Sequence, residues 1–281
     1  MTLPVGFQFS QGSLQDLVDC RRRFQLRYLV ELAWPAPHAE PLDQVEAAAA
    51  RGNAFHGLVL RHQSGIPADR LAAIAASDEV AGATLGMWWD NYLRRALEGL
   101  PLLRHPEVNL SAPLNGYRLI AKFDLLAVEP GKRAIVVDWK TAARRPARAR
   151  LAQRLQTRVY RYLAVEAAGH LNVPSGPFCP DQVEMRYWFA ADPDRAERFP
   201  YDATQHTADR AYLLALIEDA ATRVDYPLTA NESTCRFCAY RSFCARGDSA
   251  GRLTAGDAPD DWDDIGAGEV LDLDEIGEVR F

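Results

Sequence analysis

The stretch YRLIAKFDLLAVEPGKRAIVVDWK, residues 117–140, contains two apolar strands joined by a turn. Its runs 117–128 and 133–139 are rich in Ile, Val and Leu, and the residues between them include Pro and Gly, which is typical of a strand–turn–strand unit. Asp124 and Asp138 interrupt these apolar runs, where an isolated charge is costly unless it is paired or binds a metal. Because the strands form a hairpin, the two carboxylates can approach each other, and the sequence predicts an acidic site there.

The triplet Asp138-Trp139-Lys140 adds an ammonium to this site. Side chains alternate between the faces of a strand, so Asp138 and Lys140 point the same way and Trp139 points into a core. Phosphodiester hydrolysis needs an activated water and neutralisation of the phosphate charge. Mg²⁺ and Mn²⁺ prefer carboxylate ligands, and Mn²⁺ also accepts imidazole. His56, on a predicted amphipathic helix, is the candidate imidazole.

Each of these residues has an ordinary structural explanation when it is taken alone. An Asp-x-Lys sequence is usually a surface ion pair, and a histidine on an amphipathic helix is usually packed or solvated. Their joint occurrence in one chain is what indicates a nuclease, because Lys140 can orient an attacking water beside the acids.

The remaining pattern predicts an α/β fold with a mixed sheet flanked by helices. A first helix enters at a capping box of Ser13 and Asp16, contains Cys20 and ends at the WPAP segment 34–37. Apolar periodicity then predicts further helices at 46–63, 68–97, 147–168 and 203–223, and a strand at 183–190. We expect one domain over 1–250, with a helical insertion at about 40–105, a core at about 107–225 and an acidic tail at 251–281.

Four cysteines have the spacing of a metal clasp: Cys20, Cys235, Cys238 and Cys244. The last three lie within ten residues, which is too close for an ordinary disulfide framework but suits one metal centre. Four thiolates fit either a [4Fe–4S] cluster or a structural Zn²⁺, and the spacing alone does not decide between them. The fifth cysteine, Cys179, is interpreted as a small buried hydrophobic residue.

Charge is distributed unevenly along the 281 residues, whose formal net charge is −6. Residues 132–161 contain ten basic residues and one acid, whereas residues 257–281 contain ten acids and one basic residue. A local basic field can attract a polyanion despite a negative total. The arginines expected to contact phosphates from a helix are Arg144, Arg145, Arg148 and Arg154. For Arg144 and Arg145 a solvated helix face is the alternative.

The N-terminal sequence lacks the basic and apolar segments of a secretory signal. No apolar run approaches the ~18 residues that span a bilayer, so we expect a cytoplasmic protein with no membrane partner. The chain also lacks a Gly-x4-Gly-Lys-Ser/Thr loop. Any ATP-driven unwinding would therefore come from a partner.

Four motifs resemble, in order, those of the RecB-like branch of the PD-(D/E)XK nuclease superfamily: His56, Asp124, Asp138-Trp139-Lys140, and Gln156-x-x-x-Tyr160. The resemblance covers about residues 7–246 and implies a restriction-endonuclease-like core. Gln156 and Tyr160 lie on one helix face, and the resemblance implies that they order the site and contact DNA. One departure is the stretch AKFD at 121–124, where Gly-x-Ile/Val-Asp is more familiar.

The resemblance also implies roles for the other motif residues. His56, Asp124 and Asp138 would bind the catalytic Mg²⁺ or Mn²⁺, with the backbone carbonyl of Trp139 as a further ligand. Lys140 would position the nucleophilic water. The four cysteines resemble those of AddB-type nuclease domains and CRISPR-associated spacer-acquisition exonucleases, which implies a structural [4Fe–4S] cluster and a helicase or CRISPR-adaptation protein as a partner.

Three functions follow from these observations. The first is a metal-dependent deoxyribonuclease, an exonuclease acting on single-stranded DNA or DNA ends in repair, recombination or CRISPR adaptation. The second is a non-catalytic DNA-binding or scaffold module of such a complex, which the intact set of motif residues argues against. The third is a partner-dependent nuclease that is kept inactive by its acidic tail.

Overall fold

A six-stranded mixed sheet forms the centre of this fold. The computed structural model describes residues 3–33, 40–77, 82–142, 144–236 and 238–246. The predicted WPAP helix end and acidic tail lie outside these residues. The strands are β1 Gln8–Ser10, β2 Leu103–Leu114, β3 Tyr117–Glu129, β4 Arg133–Lys140, β5 Val183–Phe189 and β6 Asp192–Pro200. The α-helices are α1 Gln11–Asp19, α2 Arg21–Phe24, α3 Glu40–Gln63, α4 Ala68–Ser77, α5 Gly82–Asn91, α6 Arg148–Gln153, α7 Leu155–Ala167 and α8 Ala203–Thr222.

The strands pair in the order β1-β3-β4-β5-β6, with β2 also paired to β3. The β3–β4 hairpin is antiparallel, as predicted, and β4 continues the sheet by pairing in parallel with β5. A parallel neighbour requires a crossover, and α6 and α7 lie between β4 and β5 in the chain. The predicted α/β fold with a mixed sheet flanked by helices is confirmed.

Apolar side chains cover both faces of the sheet. On one face, Phe123 and Val136 of the hairpin share a core with Leu163 of α7. On the other face, Trp139 and Trp188 share a second core with Trp89 of the helical insertion. Trp139 is fully buried, as the alternation along β4 predicts. The two faces of β4 therefore pack against different layers, and Asp138 and Lys140 lie on the face opposite Trp139.

Strand β2 was missed by the sequence analysis. It contains Pro106 and Pro113, which weaken a strand prediction because proline cannot donate to a ladder. The only strand that β2 pairs with among the described residues is β3, and an edge strand tolerates proline. β2 begins at Leu103, so the boundary expected at about 105 lies inside a strand.

Two predicted helices are interrupted by extended residues. Cys20 has φ −159° and ψ 109°, so it ends α1 and precedes α2 rather than lying within a helix. The cap of α1 is also different from the prediction, since Ser10 and Ser13 form the capping box. Arg154 has ψ 140° and separates α6 from α7. The helix predicted at 68–97 comprises α4, α5 and a π-helical turn at Tyr92–Ala96, with 78–81 outside the described residues.

The helical insertion is fastened to the β5–β6 end of the sheet by polar contacts. The buried Asn91 side chain donates to the carbonyl of Ala190 at 2.8 Å. Arg186 of β5 donates to the carbonyl of Glu98 at 3.1 Å. The amide of Ala190 in turn donates to the carbonyl of Lys140 at 2.8 Å. These bonds fix the insertion next to the end of β4, where the predicted acids lie.

Candidate nuclease active site

The two predicted acids lie where β4 separates from β3. The last pair of the β3–β4 ladder at this end is Leu125 with Val137, and Asp124 and Asp138 come one step beyond it. The amide of Trp139 donates to Oδ2 of Asp124 at 2.8 Å. A side chain thus replaces the missing ladder bond, and both acids lie at the opening between the strands.

Glu107 is a third acid at this site, and the sequence analysis missed it. The β2–β3 ladder pairs Pro106 with Leu125 and Val108 with Phe123, which puts Glu107 opposite Asp124. Glu107 has φ +50°, which is uncommon for a residue other than glycine and is often found at functional sites. Glu107 can be assigned to the site only from the β2–β3 register. The sequence analysis lacked that register because it did not recognise β2 as a strand.

His56 of α3 completes a group of possible metal ligands. Its Nδ1 lies 3.4 Å from Oδ1 of Asp124, and its Nε2 lies 2.9 Å from the backbone oxygen of Trp139. Ligand atoms of His56, Glu107 and Asp124 all lie within 4.8 Å of one another. Two carboxylates and an imidazole are a donor set that suits Mn²⁺, and the carboxylates suit Mg²⁺. The residues present therefore fit a divalent ion such as Mg²⁺ or Mn²⁺.

Asp138 lies in a buried polar network rather than in this three-residue group. Its Oδ2 is 2.9 Å from Nζ of Lys140, and each side chain is no more than 3% exposed. Gln156 donates from Nε2 to Oδ1 of Asp138 at 2.6 Å. The Lys140 ammonium also lies 5.8 Å from the centre of the Tyr187 ring. These contacts hold the carboxylate and the ammonium in fixed positions.

Tyr160 contacts β3 one helical turn after Gln156. Its hydroxyl donates to the carbonyl of Lys122 at 3.0 Å. Burial, together with the charges of Asp138 and Asp124, raises the pKa of Tyr160 well above its ordinary value. The hydroxyl therefore remains protonated at neutral pH and serves as a hydrogen-bond donor. Gln156 and Tyr160 thus fasten α7 to the two strands that carry the acids.

The basic segment is largely paired with acids from other elements. Arg145 lies 2.8 Å from Asp192 and 3.2 Å from Glu197, and Arg148 lies 2.9 Å from Glu197. Burial alone would raise the pKa of Glu197, but hydrogen bonds from Arg148 and Arg145 hold this pKa below its ordinary value. The excess of positive charge in the sequence is therefore much smaller on the folded surface.

The four arginines predicted to contact DNA differ in exposure. Arg144 is exposed and Arg148 is 54% exposed, whereas Arg154 is buried and Arg145 is only 14% exposed. Arg144 and Arg145 precede α6, so they do not belong to the helix predicted for them. Of these four arginines, Arg144 and Arg148 are the most accessible to solvent and therefore to a DNA phosphate.

The four clasp cysteines line one small cavity, with Arg23 and Tyr240 also on its wall. No disulfide joins any of the four. Burial raises the pKa of Cys238, and its neighbours Cys235 and Cys20 raise the pKa further, whereas Arg23 lowers it. A metal ion that binds such thiols displaces their protons. Two segments that lie more than two hundred residues apart in sequence therefore meet at one thiol-rich cavity.

Polar contacts fix the wall of this cavity. Arg23 lies 2.7 Å from Asp16 and 2.7 Å from Asp19 on α1. The hydroxyl of Tyr240 donates to the carbonyl of Leu32 at 3.1 Å, and Arg246 lies 3.7 Å from Sγ of Cys235. Of these contacts, the bond from Tyr240 to Leu32 joins the segment around Cys20 to the segment around Cys235.

Cys179 was interpreted as a buried hydrophobic residue, and that interpretation was wrong. The structure has Cys179 exposed, immediately before the 3₁₀ turn Pro180–Gln182. Its backbone amide donates to the Gln182 side chain at 2.9 Å, which closes this surface turn. Composition alone gave no sign that this cysteine differs from the usual buried one.

Comparison with known proteins assigns the chain to a class of nucleases. A family model of the PD-(D/E)XK nuclease superfamily matches residues 8–245. The chain therefore belongs to the PD-(D/E)XK nuclease superfamily. The fold agrees, since a mixed six-stranded sheet flanked by helices is consistent with the restriction-endonuclease-like fold of that superfamily.

Two solved structures are similar over most of their length. The protein SSO0001 has 14% identity over 84% of this chain and 85% of its own, with a TM-score of 0.37. A protein from Eubacterium rectale, described provisionally as an exonuclease, has 10% identity over 93% of both chains, with a TM-score of 0.48. No curated protein matches the chain significantly. Among the described residues, no helix has the length and apolar character of a membrane span.

Proposed function

We propose that this protein is a metal-dependent deoxyribonuclease whose site is the row of acids Glu107, Asp124 and Asp138. The observation that carries the proposal is the opening between β3 and β4. Two strands of an apolar sheet separate there, and one of the acids at the opening, Asp138, pairs with the buried ammonium of Lys140 at 2.9 Å. An apolar sheet holds such charges at a cost, which a catalytic role explains.

The proposed chemistry is hydrolysis of a phosphodiester bond. A divalent cation held by His56, Glu107 and Asp124 supplies Lewis acidity and neutralises phosphate charge when it is bound. The backbone oxygen of Trp139 lies 2.9 Å from Nε2 of His56, which is consistent with its predicted place as a further ligand.

The chain's own residues orient the reactants in this proposal. Lys140 donates a hydrogen bond to the attacking water and lies beside Asp138, whose carboxylate faces the same opening. Gln156 holds Asp138 in place through its 2.6 Å bond. Tyr160 fixes the strand that carries Asp124 through its bond to the carbonyl of Lys122. Fixed donors and acceptors of this kind lower the barrier because little reorganisation accompanies the reaction.

Single-stranded DNA or DNA ends are the proposed substrate of this cytoplasmic enzyme. The resemblance to RecB-like nucleases supports this choice, and so do the exposed Arg144 and Arg148, which can contact phosphates. Repair, recombination or CRISPR adaptation is the proposed setting, with a helicase or adaptation protein as partner.

A [4Fe–4S] cluster is the proposed occupant of the four-cysteine cavity, with structural Zn²⁺ as the alternative. Four thiols on the wall of one cavity support either group. Cys20 is distant in sequence from the other three, which favours the cluster by resemblance. Its proposed role is structural, because the group would join the two ends of the fold.

Asp124→Asn is expected to lower DNA cleavage by about a hundredfold or more, because a carboxylate ligand of the cation is lost. The measurement is cleavage of end-labelled single-stranded and double-stranded DNA in Mn²⁺ or Mg²⁺. Asp90→Asn is the matched control, since Asp90 is an exposed acid on α5. Equal cleavage by wild type and both variants would move the protein to the DNA-binding scaffold class.

A further inference from the structure

Lys122 places a positive charge beside the proposed metal ligands. It lies two residues before Asp124 on β3, and its Nζ is 2.7 Å from Oε2 of Glu107. The Lys122 side chain is 36% exposed and that of Glu107 is 23% exposed, so the pair is partly sheltered from water. In the β2–β3 register, Lys122 pairs with Asn109, two residues after Glu107. The ammonium therefore reaches diagonally across the ladder to the acid that faces Asp124.

The Glu107 carboxylate is close both to the other proposed metal ligands and to Lys122. One of its oxygens lies within 4.8 Å of ligand atoms of His56 and Asp124. The same carboxylate forms an ion pair with Lys122 at 2.7 Å. Sites that use two divalent ions hold them about 3.5–4 Å apart and join them through shared carboxylates. Glu107 has the position of such a shared carboxylate, but the positive charge paired with it in this structure is a lysine ammonium.

The backbone around Lys122 keeps this ammonium in place. Tyr160 donates to the carbonyl of Lys122 at 3.0 Å, which fixes β3 at this residue. Glu107 has φ +50°, so its side chain leaves the regular course of β2 at the point where it meets Lys122. The pair is thus set by the geometry of two strands and one helix rather than by two flexible surface chains.

We propose that the site takes one divalent cation and that Lys122 supplies the second positive charge which a two-ion site obtains from a second metal. The proposal rests on the proposed nuclease function, since it concerns the same ligands. The charge of an ammonium disfavours a second divalent ion at Glu107, because two cations that share one carboxylate repel each other across a few ångströms. Phosphate charge would then be neutralised by one metal ion, Lys140 and Lys122 together.

The test counts Mn²⁺ ions bound to the full chain by electron paramagnetic resonance. The acidic composition of the chain gives background binding, so the count is taken as the difference from the double variant Glu107→Gln/Asp124→Asn. We expect one site-specific Mn²⁺ in the wild type and two in Lys122→Gln, which removes the ammonium and offers an amide oxygen. Lys122→Arg, which keeps the charge, should remain at one. Both variants at residue 122 keep the backbone carbonyl that Tyr160 uses.

Two ions in the wild type would overturn the proposal, and so would a count of one in Lys122→Gln. Weaker binding of a single ion in Lys122→Gln would also overturn it, because Lys122 would then only hold Glu107 in place. A wild type with no site-specific ion would overturn it as well. The nuclease proposal fails by a different result, namely one bound Mn²⁺ without any DNA cleavage.

Discussion

Lys140→Met is expected to lower the rate of DNA cleavage by about a thousandfold. The substitution removes a positioned proton donor and also the positive charge that stabilises the developing oxyanion. The ammonium is 2% exposed and lies 2.9 Å from Oδ2 of Asp138. The measurement is the single-turnover rate on end-labelled DNA with saturating Mn²⁺.

The same substitution affects stability, and a second variant separates the two effects. Removal of one partner leaves the Asp138 carboxylate buried without its ion pair, which typically costs about 3–5 kcal/mol in the free energy of unfolding. Combining Lys140→Met with Asp138→Asn removes both charges and should recover much of that stability while the enzyme stays inactive. The exposed Lys132 on the same hairpin provides the control Lys132→Met. Normal cleavage by folded Lys140→Met would contradict the proposed role of Lys140.

Cys20→Ala is expected to remove the proposed cluster and to destabilise the fold strongly. Cys20 meets Cys235, Cys238 and Cys244 at one cavity, and a group bound by all four closes a loop of more than two hundred residues. The loop-entropy relation for cross-links gives about 5 kcal/mol for a closure of this length. The measurements are iron, zinc and acid-labile sulfide content, and the free energy of unfolding in urea.

Cys179→Ala is the matched control for this experiment, because Cys179 is an exposed free thiol that does not line the cavity. It should leave the metal content and the stability unchanged. Zinc without sulfide in the wild type would favour the alternative occupant. Full iron and sulfide content in Cys20→Ala would show that Cys20 is not a ligand.

The β3–β4 hairpin could be predicted from sequence because its signals are local. Apolar alternation, a turn with Pro and Gly, and two interrupting acids all lie within residues 117–140. The buried position of Trp139 and the shared face of Asp138 and Lys140 follow from the period of a strand alone. The helix that carries Gln156 and Tyr160 was also visible, because its apolar spacing is regular.

Other features depend on contacts that no local pattern contains. Glu107 joins the site through the register of β2, whose prolines conceal a strand that lies at the edge of the sheet. The breaks at Cys20 and Arg154 are single extended residues within otherwise helical sequence. A one-residue change of backbone conformation leaves the apolar periodicity almost unchanged, so it cannot be seen in that periodicity.

The charge of the basic segment was the least predictable property. Local counting gave an excess of positive charge, but the counter-ions come from β6 and α8. Glu197 pairs with Arg145 and Arg148, and Asp209 lies 2.7 Å from Arg158 and 3.3 Å from Arg161. Acids that are forty or more residues away in sequence cannot be assigned to these arginines before the fold is known.

Direct observation of a bound ion tests the central claim most directly. A crystal of the wild-type protein grown with Mn²⁺ would locate the ion by its anomalous scattering. We predict one strong peak at the opening between β3 and β4, about 2.1 Å from a carboxylate oxygen of Asp124 and in contact with His56. The account would be contradicted by an Mn²⁺ peak elsewhere in the protein and none at Glu107, Asp124 and Asp138 at saturating Mn²⁺.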